Sequence, residues 1–302
     1  MDDHLEDRAP PEIPEILYHY TSQSGLIGML KSRSIWASKI HYLNDSREFA
    51  LALDLARDEL KQRRKHAALS EGERERLELL SDSIDTIQRV NICVCSFSAI
   101  RDSLSQWRAY SGGKAGFSVG FSREWFTRLK ETSGYSLHPC IYDPEDQQKL
   151  IREAVDEILA TNAHAEPDYW DRNRGYTDPE RPRTFIVLRH AGDDFAHRLA
   201  EIAPRIKHES FKDEKEWRLV SRAISVWDLE HRSGESMIIP YYSIPIDYEG
   251  QLEPISEIVV GPTPHTELSK ESVHSLALAS GMIKTDGSGI TISTTRIPFR
   301  NW

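Results

Sequence analysis

Two glutamates in the last third of the chain form the pattern that most suggests chemistry. The segment Phe211–Val220 reads FKDEKEWRLV and places Glu214 and Glu216 two residues apart, where a charged turn leads into an apolar strand. Side chains alternate between the two faces of a strand, so these carboxylates would share one face at a separation of about 7 Å. Their mutual repulsion would raise the pKa of at least one of them. Such a pair is suited to binding a hydroxyl group or stabilising a developing cation.

Two simpler interpretations of the glutamate pair stay open. An isolated Glu-x-Glu pattern usually marks a solvated strand entrance that happens to be acidic. Alternatively, Arg218 lies on the same predicted strand face and could join the glutamates in a structural ion-pair network.

Histidine and serine residues stand at the predicted ends of two further strands. His19, within Tyr18–Thr21, could bond a ligand hydroxyl or phosphate, or it could cap a surface loop. Ser96 and Ser98 flank a phenylalanine at the end of a buried strand. They would be hydrogen-bond donors behind a site, or ordinary turn residues.

A short helix carries two aromatic residues three positions apart, Trp107 and Tyr110, before a double glycine that ends it. These rings could form the wall of a cleft for a flat ligand ring, or they could be wedges in the core. The segment Asn44–Ser46, with Glu48 after it, reads as the N-cap of the following helix.

Composition and charge restrict the class of protein. The chain has 302 residues and a net charge of -10, which disfavours general attraction to nucleic acid or to an anionic membrane. The basic segment Lys61–Lys65 reads as a solvated helix face. No apolar run approaches the ~18–20 residues of a membrane-spanning helix, and the polar N-terminus does not resemble a secretory signal. Cys93 and Cys95 read as core residues, and no histidine spacing suggests a metal site. We therefore expect a cytoplasmic protein without a metal or a membrane partner.

The elements that position these residues are of mixed type. Strands are predicted at Ile16–Tyr20, Ser34–Ser38, Ile92–Phe97, Gly116–Phe121, Leu137–Tyr142, Glu216–Val220, Met237–Tyr242, Ile255–Val260 and Ile290–Pro298. Helices are predicted after Ser22, over residues 47–68, after a capping box at Ser70 and Glu73, over much of 144–205, and over 267–280. The polar stretch Asp168–Pro182 reads as an exposed loop.

The order of these elements predicts the domain organisation. Strands and helices come in runs rather than in strict alternation, which favours the α+β class. We expect one α+β domain over residues 15–302, with helical insertions at about 46–90 and 144–205. Residues 1–14 would be a flexible leader.

Six motifs together resemble a known bacterial family. They are Leu17–Thr21, Leu43–Glu48, Cys95–Ser98, Gln106–Tyr110, Gly116–Phe121 and Lys212–Arg218. The family is the domain-of-unknown-function 2971 family, and the resemblance runs from about Ile16 to Arg300. The family name itself implies little chemistry.

A looser resemblance, to ADP-ribosyltransferases, rests on the order of a histidine, a serine-bearing strand and a late Glu-x-Glu. It implies a split mixed or antiparallel β-sheet with flanking helices that cradles NAD in a central cleft. It also implies that His19 holds the adenosine-side ribose, that Tyr20 and Thr21 line the same strand end, and that Ser96 and Ser98 brace the glutamate.

The same resemblance implies roles for the two glutamates. Glu216 would be the catalytic glutamate, which accepts a bond from the nicotinamide-ribose hydroxyl and stabilises the oxocarbenium-like cation. Glu214 would orient or deprotonate the acceptor. Tyr42 and Tyr110 are the candidates to stack on nicotinamide. The expected function is therefore NAD-consuming ADP-ribosyl transfer to an unidentified acceptor, either a protein, a nucleic acid or a small molecule.

Two other functions fit the same residues. The chain could be a non-catalytic nucleotide- or ligand-sensing module that keeps the cleft without turnover. It could also be a metal-independent nuclease that uses His19 and Glu216 as acid and base. A single NAD cleft requires His19, Ser96 or Ser98, and Glu216 to meet around one pocket within about 12 Å, with Trp107 or Tyr110 near its wall.

Overall fold

The computed structural model describes residues 11–43, 46–66, 68–110, 115–161, 169–173, 175–177, 179–180, 185–187, 189–234, 236–246, 254–283 and 289–298. Within these ranges the chain forms a mixed ten-stranded sheet, a separate two-stranded ribbon and flanking helices. The predicted α+β class is confirmed. The capping motif at Asn44 and most of the predicted leader lie outside the described residues.

The strands are β1 (Ile16–Ser22), β2 (Ser34–Lys39), β3 (Cys93–Ser98), β4 (Gly116–Ser122), β5 (Ser136–Pro139), β6 (Gly175–Thr177), β7 (Phe185–Val187), β8 (Glu216–Val220), β9 (Glu230–Ser233), β10 (Ile238–Pro245), β11 (Ile255–Val260) and β12 (Thr291–Thr294). The helices are α1 (Gln23–Ser32), α2 (Ser46–Arg64), α3 (Glu71–Ser83), α4 (Leu104–Tyr110), α5 (Arg123–Ser133), α6 (Pro144–Ala160), α7 (Ala191–Ile202) and α8 (Thr266–Ala279).

The main sheet forks at β3. One edge of β3 pairs with β8, ending with Ser98 opposite Glu216. On its other edge, the described ladders join β2 to Cys93 and Val94 and join β1 to Ser98 through Tyr18. Strands β12, β11, β4 and β1 form one arm, and β2, β10 and β9 form the other. Between the arms, the middle of β3 has an open edge.

Alternation along the central strands creates two apolar cores. Phe97 and Trp217 face the first core, which also contains apolar residues of α1, α5 and α8. Val94 and Val220 face the second core, on the other side of the sheet, against α2, α3, α6 and α7. Among the described residues, helices therefore cover both faces of the central strands.

Local signals explain where several helices begin. The hydroxyl of Ser70 accepts from the backbone N–H of Glu73 at 3.3 Å, and the Glu73 carboxylate accepts from the Ser70 N–H at 2.8 Å, which confirms the capping box. The Ser22 hydroxyl caps α1 through the N–H of Gly25. Helix α2 ends at Arg64, earlier than the predicted end at residue 68.

Four elements differ from the sequence-based expectation. Helix α5 was not predicted, because it follows β4 directly without a loop. Its buried side consists of Trp125, Phe126 and Leu129. Strand β9 was missed because it lies at the sheet edge and has no apolar alternation. Strand β6 lies where an exposed loop was expected, and β7 lies where mostly helical structure was expected. The two strands pair as a ribbon, because backbone pairing there does not need an apolar pattern. No helix in the described ranges is both long and apolar enough to cross a membrane.

A close backbone approach at Gly261, just after β11, supports a stability prediction. A Cβ there would lie 2.8 Å from the Gly116 carbonyl oxygen and 2.9 Å from the indole of Trp107. We expect Gly261→Ala to lower the free energy of unfolding by about 1–3 kcal/mol, because the packed backbone at Gly116 and the indole of Trp107 must move to make room for the methyl group. Gly72→Ala, where no atom lies within 4 Å, is the control in urea denaturation. Equal stability of the two variants would contradict the prediction.

His41 supports a prediction about pH. Its ring lies 4.4 Å from that of Phe49, and both ring nitrogens are buried without a hydrogen-bond partner among the described residues. Burial, with the nearby charge of Lys39, lowers the pKa of His41 from 6.5 to about 4. Between pH 6.5 and about 4, His41 therefore binds a proton in the unfolded chain but not in the folded one. The free energy of unfolding falls as the pH drops through this range. We expect His41→Phe to reduce this slope in urea titrations at several pH values; an unchanged slope would contradict it.

Candidate functional site

A small cavity lies at the open edge of β3, between the two arms of the sheet. Its volume is about 40 Å³. The residues that line it are Tyr18, His19, Tyr20, Ser96, Phe97, Ser98, Gln106, Tyr110, Glu214 and Glu216. The structure thus brings together seven of the nine residues that the sequence nominated. Thr21 and Trp107 do not line the cavity.

His19 reaches the cavity because the sheet opens beside it. Tyr18 lies in the same row as Ser98 and Glu216, so alternation alone would turn His19 to the opposite face. The imidazole lies at the open edge of β3, where its Nδ1 is 2.9 Å from the Ser96 carbonyl oxygen and its ring is 5.8 Å from that of Phe97. A carbonyl only accepts, so Nδ1 donates and Nε2 is an acceptor. Burial lowers the pKa of His19, which keeps the ring neutral near pH 7.

Glu216 belongs to a buried ion-pair network. Its side chain is 5% exposed, and its Oε1 accepts from Nε of Arg218 at 2.8 Å. Its Oε2 accepts from Nζ of Lys207 at 2.5 Å, and the same ammonium donates to Oε2 of Glu214 at 2.8 Å. Two cations and two anions therefore balance each other beside the cavity.

This network corrects two predictions about the glutamates. Glu214 is not on the strand: it ends a 3-10 helix, and Lys215 adopts a left-handed conformation with φ of 44° before β8 begins. The expected rise in pKa is not found at Glu216. Burial raises the pKa of this carboxyl, but the charges and hydrogen bonds of Arg218 and Lys207 outweigh burial and lower it to about 2.

The serines contact the main chain rather than a glutamate carboxylate. Ser98 donates through Oγ to the carbonyl oxygen of Glu214 at 2.7 Å and accepts from the N–H of Ile100 at 3.0 Å. Ser96 supplies the carbonyl that His19 binds. Ser98 therefore fixes the turn that carries Glu214, which differs from the expected bracing of the catalytic carboxylate.

The two aromatic residues of α4 have different environments. Burial, followed by the charges of Glu216 and Glu214, raises the pKa of Tyr110 to about 12, so its hydroxyl remains a donor at the cavity wall. Trp107 is a core wedge: it is 1% exposed, and its Nε1 donates to Oδ1 of Asp102 at 2.7 Å. Of the two candidates for nicotinamide stacking, Tyr110 lines the cavity and Tyr42 does not.

Four residues at the site were not nominated from the sequence, and one of them is Phe97, a core residue that also lines the cavity. Tyr18 lines the cavity and donates to Oε1 of Glu257 at 2.8 Å, and Gln106 is buried on α4. Both residues lie within motifs that resemble the bacterial family, so the sequence gave an indirect indication of them. Lys207 stands in a polar segment without apolar periodicity, so no pattern indicated that it is buried.

The cavity wall can accept several hydrogen bonds. Nε2 of His19 is an acceptor, and Oε1 of Glu216, which accepts from Arg218, has capacity for a second bond as a carboxylate oxygen. Tyr110 adds a donor. This arrangement is suited to a group rich in hydroxyls, such as a ribose. In the part of the chain that the structure describes, no cluster of three histidine, cysteine, aspartate or glutamate residues could hold a metal ion.

Comparison with known proteins gives one match. A family model described as "Protein of unknown function (DUF2971)" matches residues 106–219. This stretch begins within α4 and contains β4 and the two glutamates, whereas the motifs that contain His19 and Ser96 lie outside it. No curated protein and no solved structure matches the chain.

Proposed function

We propose that this protein consumes NAD and transfers ADP-ribose at the cavity beside β3. The observation that supports this function is that His19, Ser96, Ser98, Tyr110 and the two glutamates line one cavity at a fork in the sheet, although His19 belongs to β1 and Glu216 to β8. A neutral histidine acceptor and an ionised carboxylate are the groups that ribose hydroxyls need.

In this proposal the bond between nicotinamide and C1′ of its ribose breaks, and the electron pair leaves with nicotinamide. Glu216 accepts a hydrogen bond from the ribose hydroxyl, and its negative charge stabilises the oxocarbenium-like ribose. The acceptor then adds a lone pair to C1′ and gives its proton to Glu214. The low pKa of Glu216 ensures that its charge is present throughout the neutral range.

Binding of a dinucleotide requires the cavity to widen. Its volume of about 40 Å³ is well below the ~300–1,000 Å³ of typical ligand sites. Gln106 and Tyr110 place α4 on the wall. We expect α4 to move away from β1 when NAD binds, which would open the cleft without disturbing the central strands.

The test combines binding with turnover. Purified protein is titrated with NAD by calorimetry, and nicotinamide release is followed by chromatography, both in water and with candidate protein, nucleic-acid and small-molecule acceptors. We expect binding and release together. Absence of release under all these conditions would contradict the proposed function.

A second candidate function is nucleotide sensing without turnover. The observation that favours it is that Glu216 is already bound by Lys207 and Arg218, which offset the charge that the transition state needs. The same experiment separates the candidates, because NAD binding without nicotinamide release supports a sensor.

A further inference from the structure

Lys207 is the cation that links the two glutamates of the proposed site. Its Nζ contacts both carboxylates, at 2.8 Å for Glu214 and 2.5 Å for Glu216. Among the described residues it is the salt-bridge partner of Glu214. Arg218 binds Glu216 from the same strand. Lys207 therefore joins the two glutamates to each other.

The helical layer holds this lysine in place. The backbone N–H of Lys207 donates to the carbonyl of Ile141 at 3.1 Å, and its own carbonyl accepts from the side chain of Gln147 on α6 at 2.8 Å. Its ammonium lies 4.9 Å from the ring centroid of Phe211. Main chain and side chain are thus both fixed, and Lys207 is 5% exposed.

We propose that Lys207 is a positioning residue for ADP-ribosyl transfer, because its single ammonium group keeps Glu214 and Glu216 together at the cavity wall. This inference rests on the proposed function. Two carboxylates that share one ammonium would repel each other without it. The lysine thus offsets this repulsion and keeps both carboxylates facing the same reacting ribose.

The titratable groups that face the pair come from several elements. Tyr110 from α4, Tyr142 from the segment after β5 and Cys95 from β3 have raised pKa values, mainly through burial. His19 from β1 has a pKa lowered by burial, and Arg218 remains a cation. An acid limb of activity that shifts when Lys207 changes is therefore assigned to the glutamate pair where the carboxyl titration shifts with it.

The experiment compares Lys207→Met with Lys207→Arg, which keeps the cation. We expect the acid limb of the pH profile of nicotinamide release to move upward by about one pH unit or more in Lys207→Met. It should stay near the wild-type position in Lys207→Arg. Lys149→Met, which removes an exposed lysine of α6 paired with Glu153, is the matched control and should match the wild type.

A second variant and a second readout keep the test decisive. Lys207→Gln keeps an amide donor and removes the charge, so it should show the same shift if Lys207→Met does not fold. Carboxyl titration by ¹³C NMR with labelled glutamate measures the pair without turnover. If the wild type releases no nicotinamide, the proposed function fails. The NMR titration then tests by itself whether Lys207 controls the ionisation of the two glutamates. Unchanged carboxyl titration and an unchanged acid limb in folded charge-removing variants would overturn the inference.

Discussion

Replacing Glu216 with glutamine is expected to lower the rate of nicotinamide release by about 100-fold or more. The substitution keeps the shape of the side chain but removes the negative charge that stabilises the oxocarbenium-like ribose. NAD binding should weaken much less, because the amide oxygen still accepts a hydrogen bond. Steady-state release at saturating NAD, combined with calorimetric titration, measures both effects.

A matched control separates this loss of rate from a loss of stability. Glu59→Gln also removes a buried carboxylate that accepts from an arginine, since Oε1 of Glu59 lies 2.6 Å from Nε of Arg63 on α2. Glu59 does not line the cavity, so its variant should release nicotinamide at the wild-type rate. Unchanged turnover in folded Glu216→Gln protein would contradict the assigned role.

Replacing Arg218 with methionine is expected to lower the free energy of unfolding by about 3–5 kcal/mol. The guanidinium binds both oxygens of Glu216 and also donates to the carbonyl of Pro204 at 2.9 Å, and its side chain is 5% exposed. Its removal leaves a buried carboxylate with only the shared ammonium of Lys207. Urea denaturation with far-ultraviolet circular dichroism measures the change.

Two further variants test the reason for this destabilisation. Arg57→Met, which breaks exposed salt bridges to Asp54 and Asp85, should cost only a small part of that amount. The double variant Glu216→Gln/Arg218→Met removes one charge of each sign and should be more stable than Arg218→Met. A double variant as unstable as the sum of the two single variants would show that the groups do not interact.

Much of the fold follows from local patterns in the sequence. Alternation of apolar residues predicted β3, β4, β8 and β11 closely, and Ser70 with Glu73 predicted the start of α3. Strand β9 and the ribbon of β6 and β7 were not predicted, because edge strands pair through backbone hydrogen bonds and do not need an apolar pattern in the sequence.

The sequence predicted most of the residues that line the candidate site, but it did not predict the ion pairs and pKa values within it. His19, Ser98 and Glu216 were nominated from their places at strand ends, and the structure gathers them at one cavity. Two nonlocal features could not be deduced. The opening of the sheet decides where the imidazole of His19 lies. Arg218 and the buried Lys207 together outweigh burial and give Glu216 a low pKa instead of a raised one.

The most direct test of the central claim is a crystal structure with a non-hydrolysable NAD analogue. We expect the nicotinamide ribose to lie at the widened cavity, with its 2′-hydroxyl within about 3 Å of Oε1 of Glu216. A hydroxyl of the adenosine-side ribose should donate to Nε2 of His19, with Tyr110 beside the nicotinamide ring. An analogue bound elsewhere, with His19 and Glu216 free of ligand contacts, would contradict the account.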